Sequence, residues 1–353
     1  MYYYNVHDIV KIQSEVVLYE LEYFATESFD TPDLSVKVSS RIPGGISLSR
    51  SITKPKPWDP SYITYSEHLG SLGAKFSIEF SDEIIITVNK MISRSKHVLY
   101  VNLVEPILRF MMISRNHVLL HSACVDLGGH GLLLSAPPDT GKTTTVLKCI
   151  KNGFAFLSDD MTIIRLPNEA LCFPKPMTIS AHTFQTAVDV SDGHSNTGGM
   201  RIRSLVHSKG GRSFMHRLAE YNVPIFTLNA IGQIIVKPPK FNVQKILNSV
   251  NIQKSTKVES LYFLERKGNE CIILDTESEL STALENSDDA FLFPPYKDLL
   301  EHITINGQSA IALLSEERMM LEKFLSKISC FKLKSDTRSW YNMITSYTES
   351  KIR

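Results

Sequence analysis

The sequence predicts an α/β protein with a β-rich N-terminal lobe, a core built on a strand, a loop and a helix, and helices at the C-terminus. Residues 1–100 contain short runs of β-branched and aromatic residues with partial alternation, which is typical of strands. From residue 117 apolar strands alternate with a helical pattern, as in α/β folds. We therefore expect a lobe over 1–100, a core domain over 101–310 and a helical segment over 311–353.

The elements of the lobe and its exit follow from local patterns. The predicted strands are EVVLYELEYF (15–24), LSVKVSS (34–40), AKFSIEF (74–80) and EIIITVN (83–89). Residues 101–116 have apolar side chains at helical spacing, and Asn116 is a plausible stop. We expect the apolar residues of this helix to lie in the core: Leu103, Ile107, Phe110 and Met111.

The core domain has its own series of predicted elements. Strands are expected over 117–125, 132–136, 154–158, 161–166, 230–238 and 260–266. A helix over 141–152 is closed by Gly153, which suits a left-handed C-cap. The polar, glycine-rich stretch over 186–213 predicts a long loop. Two helical patterns follow near the end, over 315–328 and 337–348.

Composition narrows the class of protein. The chain has 38 Lys and Arg against 37 Asp and Glu, so no overall positive field favours nucleic acid. Its five cysteines lack metal-binding spacing and suit reduced thiols in a cytoplasmic protein. The first residues do not resemble a signal peptide, and no apolar run reaches the ~18 residues that would span a membrane.

The loop after the second core strand reads APPDTGKTTT over residues 136–145. In a phosphate-binding loop, backbone amides and the next helix N-terminus face the phosphates, the lysine reaches the β- and γ-phosphates, and the following hydroxyl binds Mg²⁺. Pro137 and Pro138 donate no N–H, and Ala136 replaces the usual first glycine. The later residues are therefore expected to bind ATP: Asp139, Thr140, Gly141, Lys142, Thr143 and Thr144.

An aspartate pair follows the loop helix and the next strand. Asp159 lies 17 residues after Lys142, a spacing that places Asp159 and Asp160 at the carboxyl end of that strand, facing the γ-phosphate. One carboxylate is expected to hold the metal while the other takes a proton from an acceptor hydroxyl. The alternative is a turn with two solvated aspartates.

The stretch from His121 to Asp160 resembles the core of HPr kinase/phosphorylase, a family related to phosphoenolpyruvate carboxykinase. It reads HSACVDLGGHGLLLSAPPDTGKTTTVLKCIKNGFAFLSDD. The resemblance implies that His121 lies beside the phosphates, Lys142 clamps them and Thr143 binds Mg²⁺. It implies that Asp159 is the general base and that Asp160 helps to hold the metal. Relatives often form oligomers, so a homo-oligomer is also implied.

The chain departs from that family downstream of the aspartate pair. The glutamate that would supply a further metal contact is absent, and Lys175 stands in the corresponding region. Cations for the transition state are instead expected from a basic set: Arg201, Arg203, Arg212, Arg217, Lys237 and Lys240. HPr as the substrate is therefore not implied.

These patterns predict a Mg²⁺-dependent kinase that transfers the ATP γ-phosphoryl group to a hydroxyl. The acceptor is a serine of a peptide or protein by family expectation, while a sugar, lipid head group or other small alcohol stays open. A nucleotide-binding sensor without activity is one alternative. The other is an ATPase motor, because the loop is similar to the GPPGTGKTTT of helicases.

Overall fold

The structure is a computed structural model that describes residues 1–42, 51–53, 62–67, 73–137, 140–178, 224–235, 240–247, 249–288 and 300–352. The chain forms two compact units. The first contains Met1–Arg115, Val206–Pro238 and Phe291–Glu317, and the second contains Asn116–Leu205, Pro239–Ala290 and Arg318–Arg353. The coarse prediction of a mixed α/β fold is confirmed, while the domain boundaries at 100 and 310 stay predictions.

The strands and helices of the described residues are numbered along the chain. The strands are β1 Tyr2–Val6, β2 Val10–Ser14, β3 Leu34–Val38, β4 Ser51–Thr53, β5 Tyr62–Ser66, β6 Lys75–Glu79, β7 Ile84–Val88, β8 His117–Leu120, β9 Ala123–Leu127, β10 His130–Ser135, β11 Ala155–Ser158, β12 Thr162–Arg165, β13 Glu169–Leu171, β14 Met177–Thr178, β15 Lys240–Phe241, β16 Ser255–Glu265, β17 Asn269–Ile273, β18 Thr304–Ile305, β19 Gln308–Ser309 and β20 Ser329–Ser335. The helices are α1 Lys90–Arg94, α2 Lys96–Leu99, α3 Glu105–Ile113, α4 Lys142–Lys151, α5 Ile225–Ile235, α6 Val243–Ile246, α7 Thr276–Asp288, α8 Ala310–Leu325 and α9 Trp340–Ile352.

The first unit contains a mixed seven-stranded sheet in the order β1-β2-β3-β7-β6-β5-β4. Its strands β2, β3 and β7 are parallel neighbours, and the other pairs are antiparallel. The predicted strands at 34–40, 74–80 and 83–89 are confirmed as β3, β6 and β7. The predicted helix at 101–116 is a π-helical segment, Tyr100–Val104, followed by α3, and its four predicted core residues are buried.

Two predicted strands of the chain are wrong, and both errors have a physical reason. In the segment 15–24, Tyr19–Phe24 forms a 3-10 helix, and its buried residues fall at a helical rather than an alternating spacing. The apolar run predicted as a strand at 230–238 instead belongs to α5. The backbone amide of Thr227 donates a hydrogen bond of 2.8 Å to the carboxylate of Glu67, which is distant in sequence and caps the start of this helix.

The second unit contains a mixed nine-stranded sheet. Its main path is β11-β9-β10-β16-β13-β12-β8, with β20 parallel to β16 and β17 antiparallel to β20. Because β9 is antiparallel to both β10 and β11, these two strands run in the same direction. Their carboxyl ends therefore meet at one edge of the sheet, where the loop after β10 and the aspartate pair after β11 both begin.

The pairings of β8 with β12 and of β9 with β11 continue one another along the chain. Ser158 of β11 is opposite Cys124 of β9, and Thr162 of β12 is opposite Leu120 of β8. These two pairs share one register, so the two ladders continue one another across an interruption at 121–122 and 159–161, while the register of the β9–β11 ladder shifts between Phe156 and Ser158. The interruption leaves His121 and the aspartate pair outside the regular ladder and opposite one another.

Helix α4 packs onto the sheet through one apolar face. Val146, Leu147 and Ile150 of this helix belong to the same buried cluster as Leu134 of β10 and Ile344 of α9. This packing fixes the N-terminus of α4 at the sheet edge. The predicted helix at 141–152 is confirmed, and Gly153, which follows the C-cap Asn152, has the left-handed φ of +89° that was expected of it.

The terminal helices are also confirmed, as α8 and α9. The strand between them, β20, was not predicted, although it pairs in parallel with β16 over six residues. No helix within the described ranges combines the length and the apolar character needed to cross a membrane. The predicted loop at 186–213 lies outside the described residues, as do all four arginines of the basic set and Lys237.

Candidate functional site

The loop between β10 and α4 turns sharply into the helix. Gly141 is the N-cap of α4 with φ +118° and ψ 16°, a conformation that a residue with a Cβ rarely adopts. The backbone amide and the hydroxyl of Thr145 both donate to the Gly141 carbonyl at 3.0 Å. On the strand side, the Thr140 amide reaches the Pro137 carbonyl at 3.4 Å. Pro138 and Asp139 lie outside the described residues.

The N-terminus of α4 has the electrostatics of an anion site. The first N–H groups of a helix have no intrahelical partner, and the aligned peptide dipoles place partial positive charge there. In α4 these first residues are Lys142, Thr143 and Thr144, all partly exposed. No acidic residue occupies the first turn of this ten-residue helix to neutralise that charge. An incoming phosphate would meet both backbone donors and the Lys142 side chain.

The Lys142 ammonium is the most unusual group of the site. Its Nζ atom is buried, and it has no hydrogen-bond partner within the described part of the chain. Burial lowers the pKa of Lys142 below its ordinary value, and the attraction of Asp160 and Asp159 offsets this only in part. A buried ammonium without a hydrogen-bonding partner is costly, so this geometry favours the arrival of an anion.

Asp159 lies beside the first turn of α4. Its side chain is buried, with 6% of the residue exposed, and its Oδ2 accepts a hydrogen bond from the Thr143 hydroxyl at 2.9 Å. Its Oδ1 is buried and has no hydrogen-bond partner among the described residues. Burial raises the pKa of Asp159 to about 6, against the opposing attraction of Lys142 and the Thr143 hydrogen bond. At neutral pH this carboxylate is therefore ionised and close to the pH at which it takes up a proton.

Asp160 has a different environment from its neighbour. Its Oδ2 accepts from Lys175 Nζ at 2.7 Å, and its Oδ1 lies 3.4 Å from His121 Nε2. Asp160 is half-exposed, with 48% of its side chain accessible. Desolvation acts to raise its pKa, but the Lys175 ammonium and the His121 hydrogen bond outweigh this and hold the pKa well below its ordinary value. Asp160 is thus an anion at any working pH, while Asp159 is the better proton acceptor.

The structure brings five of the predicted site residues together: His121, Lys142, Thr143, Asp159 and Asp160. Thr140 is buried at the start of the loop, and Thr144 follows in the first helical turn. Asp139 cannot be placed, because it lies outside the described residues. Of the two lysines of the basic set, Lys240 lies in β15, and Lys237 lies outside the described residues.

Two contacts of the site were not foreseen as such. Lys175 was noted as a replacement for an acid, whereas the structure pairs it with Asp160. Trp340 and Arg338 lie against the loop, because a Cβ on Gly141 would be 3.4 Å from Trp340 Nε1 and 3.6 Å from Arg338 Cδ. Trp340 is fully buried, and its Nε1 has no hydrogen-bond partner within the described ranges. No short-range pattern signals the contact of Trp340 and Arg338 with the loop, because these residues follow β20, nearly two hundred residues after Gly141.

The oxygen atoms of the site include donors that suit Mg²⁺. Among the described residues, no group of three or more His, Cys, Asp or Glu side chains is arranged to hold a metal ion. Mg²⁺ in nucleotide sites, however, is typically held by one or two protein oxygens, substrate phosphates and water. The Thr143 hydroxyl contacts Oδ2 of the Asp159 carboxylate, and Oδ1 of the same carboxylate has no hydrogen-bond partner among the described residues. Asp160 is the next residue along the chain. These residues fit an ion that arrives with a nucleotide.

Neither a scan against models of known protein families nor a search of the curated proteins finds a match for this chain.

Proposed function

We propose that this protein is a Mg²⁺-dependent kinase with an HPr-kinase-like phosphate-loop core, which transfers the ATP γ-phosphoryl group to a hydroxyl acceptor. The proposal is supported by the loop between β10 and α4, by the sequence resemblance over His121–Asp160, and by the contrast between the two aspartates. The acceptor is a serine of a peptide or protein, or a small-molecule alcohol.

The observation that carries the proposal is the buried Lys142 ammonium at the N-terminus of α4. It has no hydrogen-bond partner in the described part of the chain, and it lies close enough to both aspartates for them to affect its pKa. A nucleotide phosphate would supply the missing acceptors. The same phosphate would contact the amides of the first helical turn, which have no partner within the helix and follow the left-handed Gly141.

The two aspartates suit two steps of the transfer. Asp159, with its pKa near 6, accepts the proton of the attacking hydroxyl, whose oxygen bonds to the γ-phosphorus as the bond from that phosphorus to the bridging oxygen of ADP breaks. Thr143 and Asp160 would hold Mg²⁺, which when bound neutralises charge on the phosphates. His121 contacts Asp160 and orients it. Catalysis comes from positioning and charge stabilisation rather than from a covalent enzyme intermediate.

One observation favours the second candidate, a nucleotide sensor without transfer activity. Asp160 is engaged by Lys175 at 2.7 Å, and an aspartate held in this way binds a metal less readily. A sensor would bind Mg-ATP without turning it over, so binding and turnover measured together separate the two functions.

The experiment is the release of ADP from Mg-ATP by three proteins: the wild type, Lys142→Ala and Lys148→Ala. Lys148 is an exposed lysine of the same helix and serves as the matched control. Each is assayed with water alone as the acceptor and with a library of serine-containing peptides. We expect turnover in the wild type and the control, and a loss of at least about 100-fold in Lys142→Ala, as for other fixed cationic donors. Equal rates in all three proteins would contradict the proposal, and binding without turnover would leave the sensor.

A further inference from the structure

Lys175 is a buried cation that the proposed chemistry does not yet use. Its side chain is only 4% exposed, and its Nζ lies 2.7 Å from Asp160 Oδ2. Burying a lysine is expensive unless the charge is paired, because the ammonium loses its hydration. A buried lysine at the edge of a candidate phosphate site therefore requires a role beyond packing.

The backbone places Lys175 at this position independently of its charge. The segment after β13 follows the end of β11: the Phe173 amide donates to the Leu157 carbonyl at 3.0 Å, two residues before Asp159. Phe173 is fully buried, and the Lys175 amide bonds back to its carbonyl at 2.8 Å. Pro174 and Pro176 flank the lysine and restrict the backbone on both sides. The lysine is thus held in place before any ligand binds.

The described side chains around Lys175 carry charges of both signs. Two ammonium groups, Lys142 and Lys175, lie near two carboxylates, Asp159 and Asp160, and the charge of Lys175 acts to lower the pKa of Lys142. Asp160, whose Oδ2 lies 2.7 Å from Lys175 Nζ, is the carboxylate proposed to help hold the metal. A metal-bound nucleotide that reaches Asp160 would therefore bring its outermost phosphate next to the Lys175 ammonium, where a fixed cation stabilises the charge on the transferred group.

We infer that Lys175 is the second cation of the phosphoryl-transfer site, which holds Asp160 before the nucleotide binds and contacts the γ-phosphate once Asp160 is engaged with the metal. The inference rests on the proposed function and deepens it, because it assigns the cation that stabilises the transferred group. Lys142 then contacts the phosphates common to ATP and ADP, while Lys175 contacts the γ-phosphoryl group that is transferred to the acceptor.

The test compares the affinities for Mg-ATP and Mg-ADP, measured by calorimetry, with the turnover measured as ADP release. The variants are Lys175→Met, which keeps the length without the charge, and Lys148→Met as an exposed control on α4. We expect Lys175→Met to bind Mg-ADP within about threefold of the wild type, to lose at least tenfold in Mg-ATP affinity, and to lose at least 100-fold in kcat. A lysine that only supports the fold would lower both affinities alike.

A second pair of variants keeps the test decisive if Lys175→Met does not fold. The double variant Lys175→Met with Asp160→Asn removes the ion pair as a whole, so that no buried unpaired charge remains. It is compared with Asp160→Asn alone, in which Lys175 stays. We expect the single variant to keep a preference for ATP over ADP, and the double variant to lose it.

The outcomes separate the inference from the proposed function. If the wild type binds neither nucleotide, the proposed function fails and the role of Lys175 fails with it. If the wild type binds and turns over Mg-ATP but Lys175→Met has the same kcat and the same ATP preference, the inference alone is overturned. An equal ATP preference in Asp160→Asn and in the double variant would overturn it as well.

Discussion

Replacing Asp159 by asparagine should make the protein more stable and at the same time inactive. The carboxylate is buried, and burial raises its pKa to about 6 from an ordinary value of 3.8. A group whose pKa is higher in the folded state binds more protons there than in the unfolded chain. The free energy of unfolding therefore falls as the pH rises from about 4 to about 6, and it stays lower above that range.

The magnitude follows from the size of this shift. A difference of about two pH units corresponds to about 3 kcal/mol of lost stability at pH 8, at about 1.4 kcal/mol for each unit. Asparagine is neutral at every pH and still offers an oxygen to the Thr143 hydroxyl. The pKa of about 6 already includes the opposing attraction of the Lys142 ammonium, so nothing further is subtracted for its loss. We therefore expect Asp159→Asn to raise the free energy of unfolding by up to about 3 kcal/mol at pH 8.

The assay is urea unfolding of the wild type and Asp159→Asn at pH 4.5 and pH 8, followed by circular dichroism. The gain should be present at pH 8 and small at pH 4.5, where Asp159 of the wild type is already protonated. Asp160→Asn is the matched control, and it should lose stability at pH 8, because its pKa is depressed and its partner Lys175 is left buried. An Asp159→Asn variant that is less stable than the wild type at both pH values would refute the reasoning.

Three further predictions concern the same site. The kcat/KM for ADP release should rise with pH through about 6 and then level off, because Asp159 must be ionised to accept a proton. A flat profile from pH 5 to 8 would argue against Asp159 as the general base. Gly141→Ala should lower the free energy of unfolding in urea by about 1–2 kcal/mol and weaken Mg-ATP binding, because φ +118° strains a residue with a Cβ. An unchanged unfolding midpoint and an unchanged affinity would mean that the loop tolerates alanine at this position. Trp58→Phe leaves Trp340 as the single tryptophan. The fluorescence emission of Trp340 should change when Mg-ATP is titrated, because its indole lies against Gly141. Constant emission at saturation would show that ligand binding does not alter the surroundings of this indole.

Local patterns were sufficient for the centre of the candidate site. The strand, loop and helix around Lys142 are continuous in sequence, and the short run from α4 to β11 leaves little freedom in where Asp159 is placed. Helix periodicity, the glycine at each end of α4 and the apolar strands were therefore enough to locate these residues. The resemblance alone placed His121 beside the phosphates, and its position opposite Asp160 was not predicted, since it depends on how two strands pair.

The contacts that sequence reasoning missed are long-range. Helix α5 was taken for a strand because its cap, Glu67, lies about 160 residues earlier in the chain. Lys175 reaches Asp160 only because β12 and β13 form a hairpin whose exit follows β11. Trp340 reaches Gly141 because β20 pairs with the centre of the sheet. In each case tertiary pairing, rather than local propensity, determines the contact.

The most direct measurement is a calorimetric titration of Mg-ATP into the wild type and into Lys142→Ala. The central claim is that the loop after β10 binds a nucleotide through the buried Lys142 ammonium and the N-terminus of α4. We predict saturable binding to the wild type that is lost, or weakened by at least about 100-fold, in Lys142→Ala. The absence of binding to a folded wild type, or the same affinity in both proteins, would contradict the claim.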